Sequence, residues 1–440
     1  MRVVVVGTGH VGLVTAATLA ALGHDVIGLD RDEEKIGQLK RGMCPFFEPG
    51  LREIIDDGVA AGRLRFETEP DEAVAGVEVL FVCVGTPARS SGEANLVAVE
   101  RAARDIARHL TGPVVVVEKS TVPAGTSNRL HQALVQERPD LSKDLEVISN
   151  PEFLREGRAV EDSLHPDRLL VGATSRRGFE TMRRLYDPLI RKGHRLIETD
   201  IATAELAKHA CNAFLALKIS YANALARLCE RADADVTAVA DVMGSDPRIG
   251  RAFLDAGLGY GGYCFPKDLQ AFERFADQLG YDFPLLKEVA RINDEAVRAT
   301  VEKVKDSVWN LEDKRIALLG LAFKPGTDDV RFSPALALAR HLLDEHATVV
   351  GYDPQAGANA KTEVPELEIA PDAYEAVYGA HCLVMCTGWD EFRALDLRQV
   401  KDRLAHPIVV DGRNFFDPIE MRKLGFVYHG TGRRLTSEAY

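Results

Sequence analysis

No apolar run in this 440-residue chain approaches the roughly 18 residues that a membrane-spanning helix needs. The apolar stretch Val3 to Val6 meets a glycine at Gly7, too soon for the core of a secretory leader, so none is expected. The 7 cysteines are odd in number and scattered, so no secreted disulfide framework is implied. H-E-x-x-H, paired C-x-x-C and His/carboxylate clusters are all missing, so no metal is expected. Positive charge is in deficit: 54 Lys+Arg against 67 Asp+Glu give a net charge of −13. Such a chain does not attract phosphate non-specifically, which argues against nucleic acid or an acidic membrane surface as partner. A phosphorylated ligand would need a local basic pocket. There is no internal repeat and no low-complexity segment. A cytoplasmic protein is expected.

What is present is ordinary globular material, 46% hydrophobic and 28% charged, enough for more than one core. At roughly 150 residues per domain the length suggests about three domains. The first part alternates short β-branched runs with helical patterns. Val3 to Val6, Asp25 to Asp30, Val79 to Val84 and Pro113 to Glu118 read as strands, with a helix from about Val11 to Leu22 stopped by Gly23. Leu145 to Ser149 and Leu169 to Gly172 extend this region to about residue 198. Strands separated by helices imply a parallel sheet.

The pattern then changes. Ala202 to Ala232 contains neither Pro nor Gly, and Leu206, Ala210, Phe214, Leu217, Tyr221, Leu225 and Leu228 recur at helical spacing. One long helix is expected, a spine between domains. Helical patterns run on to about Asn310, broken by a glycine-rich stretch from Gly257 to Tyr263. A second α/β pattern begins at Arg315, with strands at Ile316 to Leu319, Thr348 to Tyr352, Cys382 to Cys386 and Ile408 to Val410. A helix is expected over Pro334 to Glu345, with Ser333 placed to cap it. The expected fold class is α/β: two Rossmann-like parallel-sheet domains (1–198 and 311–440) joined by an all-helical segment (199–310).

Several motifs carry chemistry. Gly7-Thr8-Gly9-His10-Val11-Gly12 has the form G-x-G-x-x-G, follows the first strand and opens a helix, with Asp30 ending the next strand. The glycines would let the backbone approach a pyrophosphate, and Asp30 would accept from ribose hydroxyls, favouring NAD over NADP. A tight turn without ligand has the same form. Thr86 and Thr121 follow the next strands, where hydroxyls could donate along a cofactor or cap a loop. Lys208 and Asn212, four apart on the long helix, share one face. They could stabilise a developing oxyanion, or form a solvated surface.

Gly261-Gly262-Tyr263-Cys264-Phe265-Pro266-Lys267-Asp268 brings glycines, a cysteine and a proline suited to a first helical turn together. Cys264 would be a thiolate favoured by the helix N-terminus, or a buried structural cysteine. Cys382 and Cys386 read as core. Glu152 and Glu156 leave a strand four residues apart and could do acid–base work or simply cap and face solvent. Lys324, Arg331 and Arg413 follow the C-terminal strands and could form the local basic pocket, or be ordinary surface charges.

Together these motifs resemble the UDP-glucose/GDP-mannose dehydrogenase family over essentially the whole chain. The resemblance rests on G-T-G-H-V-G at Gly7, F-E-P-G-L at Phe47, V-G-T-P at Val84, K-S-T-V-P-A-G-T at Lys119 and N-P-E-F-L-R-E-G at Asn150. It continues through A-K-H-A-C-N-A-F at Ala207, G-Y-G-G-Y-C-F-P-K-D at Gly259, L-A-F-K at Leu321 and D-G-R-N at Asp411. It implies a four-electron oxidation of a nucleotide sugar's C6 alcohol to the carboxylate with two NAD reduced. UDP-glucose is the expected substrate, and GDP-mannose or a UDP-N-acetylhexosamine the alternative.

By the same resemblance Cys264 is the nucleophile, Lys208 and Asn212 hold the C6 oxygen, Glu152 moves protons and Asp268 supports Lys208 and a water. Thr121 belongs to both the catalytic and the cofactor groups. Gly7, Gly9, Val11, Gly12, Asp30, Lys35, Thr86, Glu156, Lys267 and Arg331 match NAD contacts. Glu152, Phe153, Leu154, Lys208, Asn212, Phe253, Gly257, Gly261, Lys324 and Arg413 match substrate contacts. Arg248 matches an arginine that reaches the partner subunit's site, which implies a homodimer or higher oligomer formed through the long helix. Residues 1–198 would then bind NAD, 199–310 dimerise and 311–440 bind the UDP-sugar. One position departs from the family's usual pattern: Tyr263 stands where serine usually precedes the nucleophile.

Overall fold

The computed structural model describes residues 1–87, 89 and 92–433. The chain forms two compact units, Met1–Cys211 with Gln270–Leu279, and Asn212–Leu269 with Gly280–Tyr440.

The first unit is built on an eight-stranded sheet. Its strands are β1 (Arg2–Val6), β2 (Asp25–Leu29), β3 (Leu64–Glu67), β4 (Val79–Val82), β5 (Val114–Glu118), β6 (Leu145–Ser149), β7 (Leu169–Gly172) and β8 (Leu196–Thr199). Their order is β3-β2-β1-β4-β5-β6-β7-β8. The first six strands in that order are parallel. β7 departs from the all-parallel expectation: it meets β6 antiparallel, through the pair Ser149 and Gly172. The central strands are buried on both faces, which is why they read as continuous apolar runs. Val3 and Val5 pack into one core layer, and Val4 and Val6 into the other. Helix α1 (His10–Ala21) presses Gly12, Ala16, Ala17 and Ala20 on the sheet, and Gly23 ends it at φ +96°. The strand order reverses between β1 and β4, so their carboxyl ends open the crevice where α/β sheets take ligands.

Helix α2 (Ile201–Ala232) is 32 residues long, matching the expected spine to within one residue, and spans about 48 Å at roughly 1.5 Å per residue. In the second unit α3 (Val236–Gly244), α4 (Cys264–Gln278) and α5 (Pro284–Val308) follow, α4 passing into the first unit at Gln270. Then comes a six-stranded parallel sheet, ordered β11-β10-β9-β12-β13-β14. Its strands are β9 (Arg315–Leu319), β10 (Thr348–Tyr352), β11 (Glu368–Ile369), β12 (Cys382–Met385), β13 (Ile408–Asp411) and β14 (Val427–Gly430). Cys382 and Cys386 are buried, free thiols of its core. Ser333 holds the N-cap position of α6 (Pro334–Asp344) but does not cap it: its hydroxyl donates to the Leu321 carbonyl at 2.7 Å, tying the helix to the turn after β9.

Candidate active site

In the first unit the turn after β1 has room only for glycine at two positions. Gly7 adopts φ +90°, and a Cβ there would lie 2.7 Å from the Cys83 carbonyl oxygen. A Cβ on Gly12 would collide with the Gly7 carbonyl. A Cβ on Gly9 would instead point into open space over the N-terminus of α1, where no side chain caps the helix. Uncapped backbone N–H groups at a helix N-terminus, with no Cβ over them, are what a pyrophosphate requires, so the residues present fit a dinucleotide. Val11 follows on the first turn of α1.

Asp30 lies at the end of β2 and lines a cavity of about 390 Å³ with Gly7, Val84, Asn95 and Arg101. Its Oδ2 accepts from the Thr8 amide (2.8 Å), the Thr8 hydroxyl (2.9 Å) and Lys35 Nζ (2.9 Å). Burial alone would raise its pKa, but Lys35 and the Thr8 and Asp32 amides outweigh it and hold the carboxyl below its ordinary value. Thr86 is buried, and its hydroxyl donates to the Thr121 carbonyl at 3.1 Å, lacing the ends of β4 and β5 together.

The loop after β6 carries the acid–base candidates. Glu152 is buried; its Oε2 accepts from the Leu154 amide at 2.5 Å and its Oε1 lies 3.1 Å from Lys208 Nζ. Lys208 is 3% exposed, so this part of α2 is not a solvated face. The Phe153 ring packs under Arg168, 3.9 Å from its centroid, with Lys208 Nζ at 5.2 Å. Behind the loop, Asn150 Oδ1 accepts from Lys119 Nζ (3.1 Å) and Tyr186 (2.6 Å), while its amide donates to the Leu170 carbonyl (2.7 Å). Burial pushes Lys119 down to about 8. Glu156 is half-buried in the turn that follows.

Sequence reasoning assigned no role to Glu48 of F-E-P-G-L. Its buried carboxylate accepts from His10 (2.9 Å) and from the amides of Gly157 (2.7 Å) and Ala159 (2.7 Å). It therefore joins the glycine turn to the loop that bears Glu152. Its place inside a Phe-Glu-Pro-Gly turn was the available signal.

In the second unit Cys264 is the first residue of α4, half-buried, with Pro266 in the same turn. The helix N-terminus there favours a thiolate. Asp268, one turn on, is 1% exposed; its Oδ2 accepts from the Asn212 amide at 2.6 Å and its Oδ1 lies 2.7 Å from Lys267 Nζ. Lys208 and Asn212 are one helical turn apart on α2, and both are buried.

The glycine-rich loop lies against the turn after β13. The Gly257 amide donates to Asn223 Oδ1 at 2.7 Å, and a Cβ on Gly257 would lie 2.5 Å from the Gly412 carbonyl oxygen. Arg413 spends Nε on the Cys386 carbonyl (2.7 Å) and Nη1 on the Gly259 carbonyl (3.1 Å). It is therefore no ordinary surface charge. Phe253 sits at φ +64° with its ring 6.3 Å from Phe265. Lys324 Nζ lies 5.4 Å from the Phe323 ring centroid. Arg248 faces solvent, its side chain 87% exposed and paired with Asp246 at 2.6 Å.

Three family profiles match the chain. These are the NAD binding domain (residues 1–190), central domain (202–295) and UDP binding domain (317–418) of the UDP-glucose/GDP-mannose dehydrogenases. The chain belongs to the UDP-glucose/GDP-mannose dehydrogenase family. It is 44% identical to a UDP-glucose 6-dehydrogenase of Rhizobium meliloti, covering 98% of this chain and 100% of that one. It is 41% identical to UDP-glucose 6-dehydrogenase YwqF of Bacillus subtilis, covering 99% and 98%. Among solved structures, a UDP-glucose dehydrogenase from Pyrobaculum islandicum superposes with a TM-score of 0.90 at 36% identity, covering 98% of this chain and 97% of that one. Among the described residues of this family member, no helix is long and apolar enough to cross a membrane.

Proposed function

We propose that the protein oxidises the C6 alcohol of UDP-glucose to the carboxylate, giving UDP-glucuronate, with NAD as cofactor. The observation that carries this reading is the half-buried Cys264 at the start of α4, one turn from an Asp268 held by Asn212 and Lys267. A dehydrogenase that stopped at the aldehyde would have no use for that thiol. Gly7, Gly9, Gly12, Asp30, Lys35, Thr86, Thr121 and Glu156, with Lys267 and Arg331, would hold NAD, which would supply the hydride acceptor for each of two oxidations, two per sugar.

In this reading the Lys208 ammonium and the Asn212 amide stabilise negative charge on the C6 oxygen. Glu152, a buried carboxylate already tied to Lys208, takes the alcohol proton and later returns protons through water. The Cys264 thiolate adds to the aldehyde to form a thiohemiacetal; its oxidation leaves a thioester, which water hydrolyses. Asp268 keeps Asn212 oriented. Phe153, Leu154, Phe253, Gly257, Gly261, Lys324 and Arg413 contact the nucleotide sugar. The test is NADH yield on a panel of UDP and GDP sugars: two NADH and one acid per UDP-glucose are expected, and one NADH with released aldehyde would refute the thioester route.

We assign 1–198 to the cofactor, 199–310 to dimerisation and 311–440 to the UDP-sugar. Support for a dimer comes from Phe214, Tyr221 and Leu228, seven residues apart on α2 and exposed at 60%, 49% and 58%. Val242 on α3 and Ile249 add to the exposed apolar surface. Arg248, solvent-facing in this chain, would reach the partner's site. Tyr221→Glu with Leu228→Glu should convert a dimer to a monomer by light scattering; an unchanged mass would move the interface elsewhere. We further propose a cytoplasmic location, in line with the odd number and scattered placement of the cysteines.

A further inference from the structure

Tyr263, immediately before Cys264, carries two cations on its ring. The Arg331 guanidinium carbon lies 4.5 Å from the ring centroid and Lys267 Nζ lies 5.5 Å from it. Both fall within the roughly 6 Å over which an aromatic face attracts a cation. The backbone fixes this arrangement. The Gly262 amide donates to the Arg331 carbonyl at 3.0 Å, so the segments that bear the ring and the guanidinium are hydrogen-bonded to each other. Gly262 sits at φ +78°, and a Cβ there would lie 2.7 Å from the Phe323 ring. A Cβ on Gly261 would collide with the Phe332 carbonyl. No other residue type lets the two segments approach this closely.

Each cation is also paired with a carboxylate. Asp329 grips Arg331 through Nε (2.9 Å) and Nη2 (2.6 Å), and Asp268 holds Lys267 at 2.7 Å. Burial raises the Tyr263 phenol above its ordinary value against the opposing pull of Lys267 and Arg331. The ring therefore meets the cations as a neutral π-face and not as a phenolate.

We propose that Tyr263 is a positioning residue whose ring sets the directions of Lys267 and Arg331, so that the two cations together grip the diphosphate of the dinucleotide. A diphosphate bears adjacent anionic groups, and two cations fixed on one rigid plate meet them without first losing the rotamer freedom of two long side chains. The inference rests on the function proposed above, in which Lys267 and Arg331 help to hold NAD.

Binding separates the dinucleotide from the nucleotide sugar and does not depend on turnover. Dissociation constants for NADH and for UDP are measured on the full-length wild type, Tyr263→Phe and Tyr263→Leu, with Tyr263→Met in place of leucine if that variant does not fold. Leucine should weaken NADH about five- to tenfold, the range expected for losing an aromatic platform, and leave UDP unchanged, while phenylalanine stays within about twofold of wild type for both. A loss of UDP affinity with NADH unchanged would overturn the proposal, because it would move the pair to the nucleotide sugar. Kinetics should follow as a raised KM for NAD with kcat nearly unchanged. Unchanged affinity for both ligands in the leucine variant would overturn the proposal. So would a phenylalanine variant as weak as leucine, which would assign the effect to the hydroxyl. Failure of the function reading shows separately, as wild type that makes no NADH from UDP-glucose.

Discussion

Lys208 Nζ lies 3.1 Å from Glu152 Oε1, and both side chains are almost dry, 4% and 6% exposed. Removing one partner of such a pair strands the other as a buried charge, at a cost of about 3–5 kcal/mol. Lys208→Met should therefore lower both thermal stability and turnover. Lys208→Met combined with Glu152→Gln should recover much of the melting temperature while turnover stays down by about 100-fold or more, the scale of one lost oxyanion donor. A single Lys208 variant with kcat within a few-fold of wild type would make the lysine a structural partner of Glu152 only.

Asp30 predicts cofactor choice. Its carboxylate is held at the cavity edge by Thr8 and Lys35, where a 2′-phosphate would meet negative charge. NAD should be preferred over NADP. Asp30→Ala should raise KM for NAD about tenfold, the loss of a charged hydrogen bond to ribose, and should narrow the preference because Lys35 loses its carboxylate. Equal wild-type rates with both cofactors would sink the assignment.

Much of the fold was legible because its central strands announce themselves. Val3 to Val6 and Val114 to Val117 are apolar without interruption, as strands covered on both faces must be. The four strands not foreseen are the sheet edges: Leu64–Glu67, which alternates in burial, the mostly half-buried Leu196–Thr199, the two-residue Glu368–Ile369, and Val427–Gly430. Half-solvated short strands leave no such run. In the site, Cys264 stood out because glycines and proline surround it. Lys208 and Asn212 did not, since an i,i+4 polar pair looks the same on a surface helix, and only burial tells the two apart. Glu48 was opaque for a different reason: its partners Gly157 and Ala159 lie 109 and 111 residues away in the chain.

Glu118 gives a pH signature. It is 1% exposed, its Oε1 accepts from the Ser120 amide, and its Oε2 has no hydrogen-bond partner. Burial pushes its pKa up to about 8 from the ordinary 4.5. Between those values the folded state keeps a proton that the unfolded state has lost, so stability falls as pH rises through this window. Glu118→Gln should remove that dependence. Its melting-temperature gain over wild type should be small near pH 5 and grow steadily to pH 8. A gain that is constant across this range would mean that Glu118 is already ionised at the lower end.

Cys264 predicts a separation of the two oxidations. The first needs only the alcohol, a proton acceptor and NAD; the second works best through an adduct with a good nucleophile. A thiol, with an ordinary pKa of about 8.5, is partly ionised near neutral pH, whereas a serine hydroxyl is not. Cys264→Ser should therefore stall. If the serine does add, the resulting ester hydrolyses slowly, and intact-mass measurement with UDP-glucose and NAD should find the sugar attached to the protein. Cys264→Ala, which can form no adduct, should give at most slow turnover at the aldehyde level and about one NADH per sugar. Wild type should release the acid with two. If both variants keep full steady-state acid formation, the thiol is structural and the half-buried position of Cys264 has no catalytic meaning.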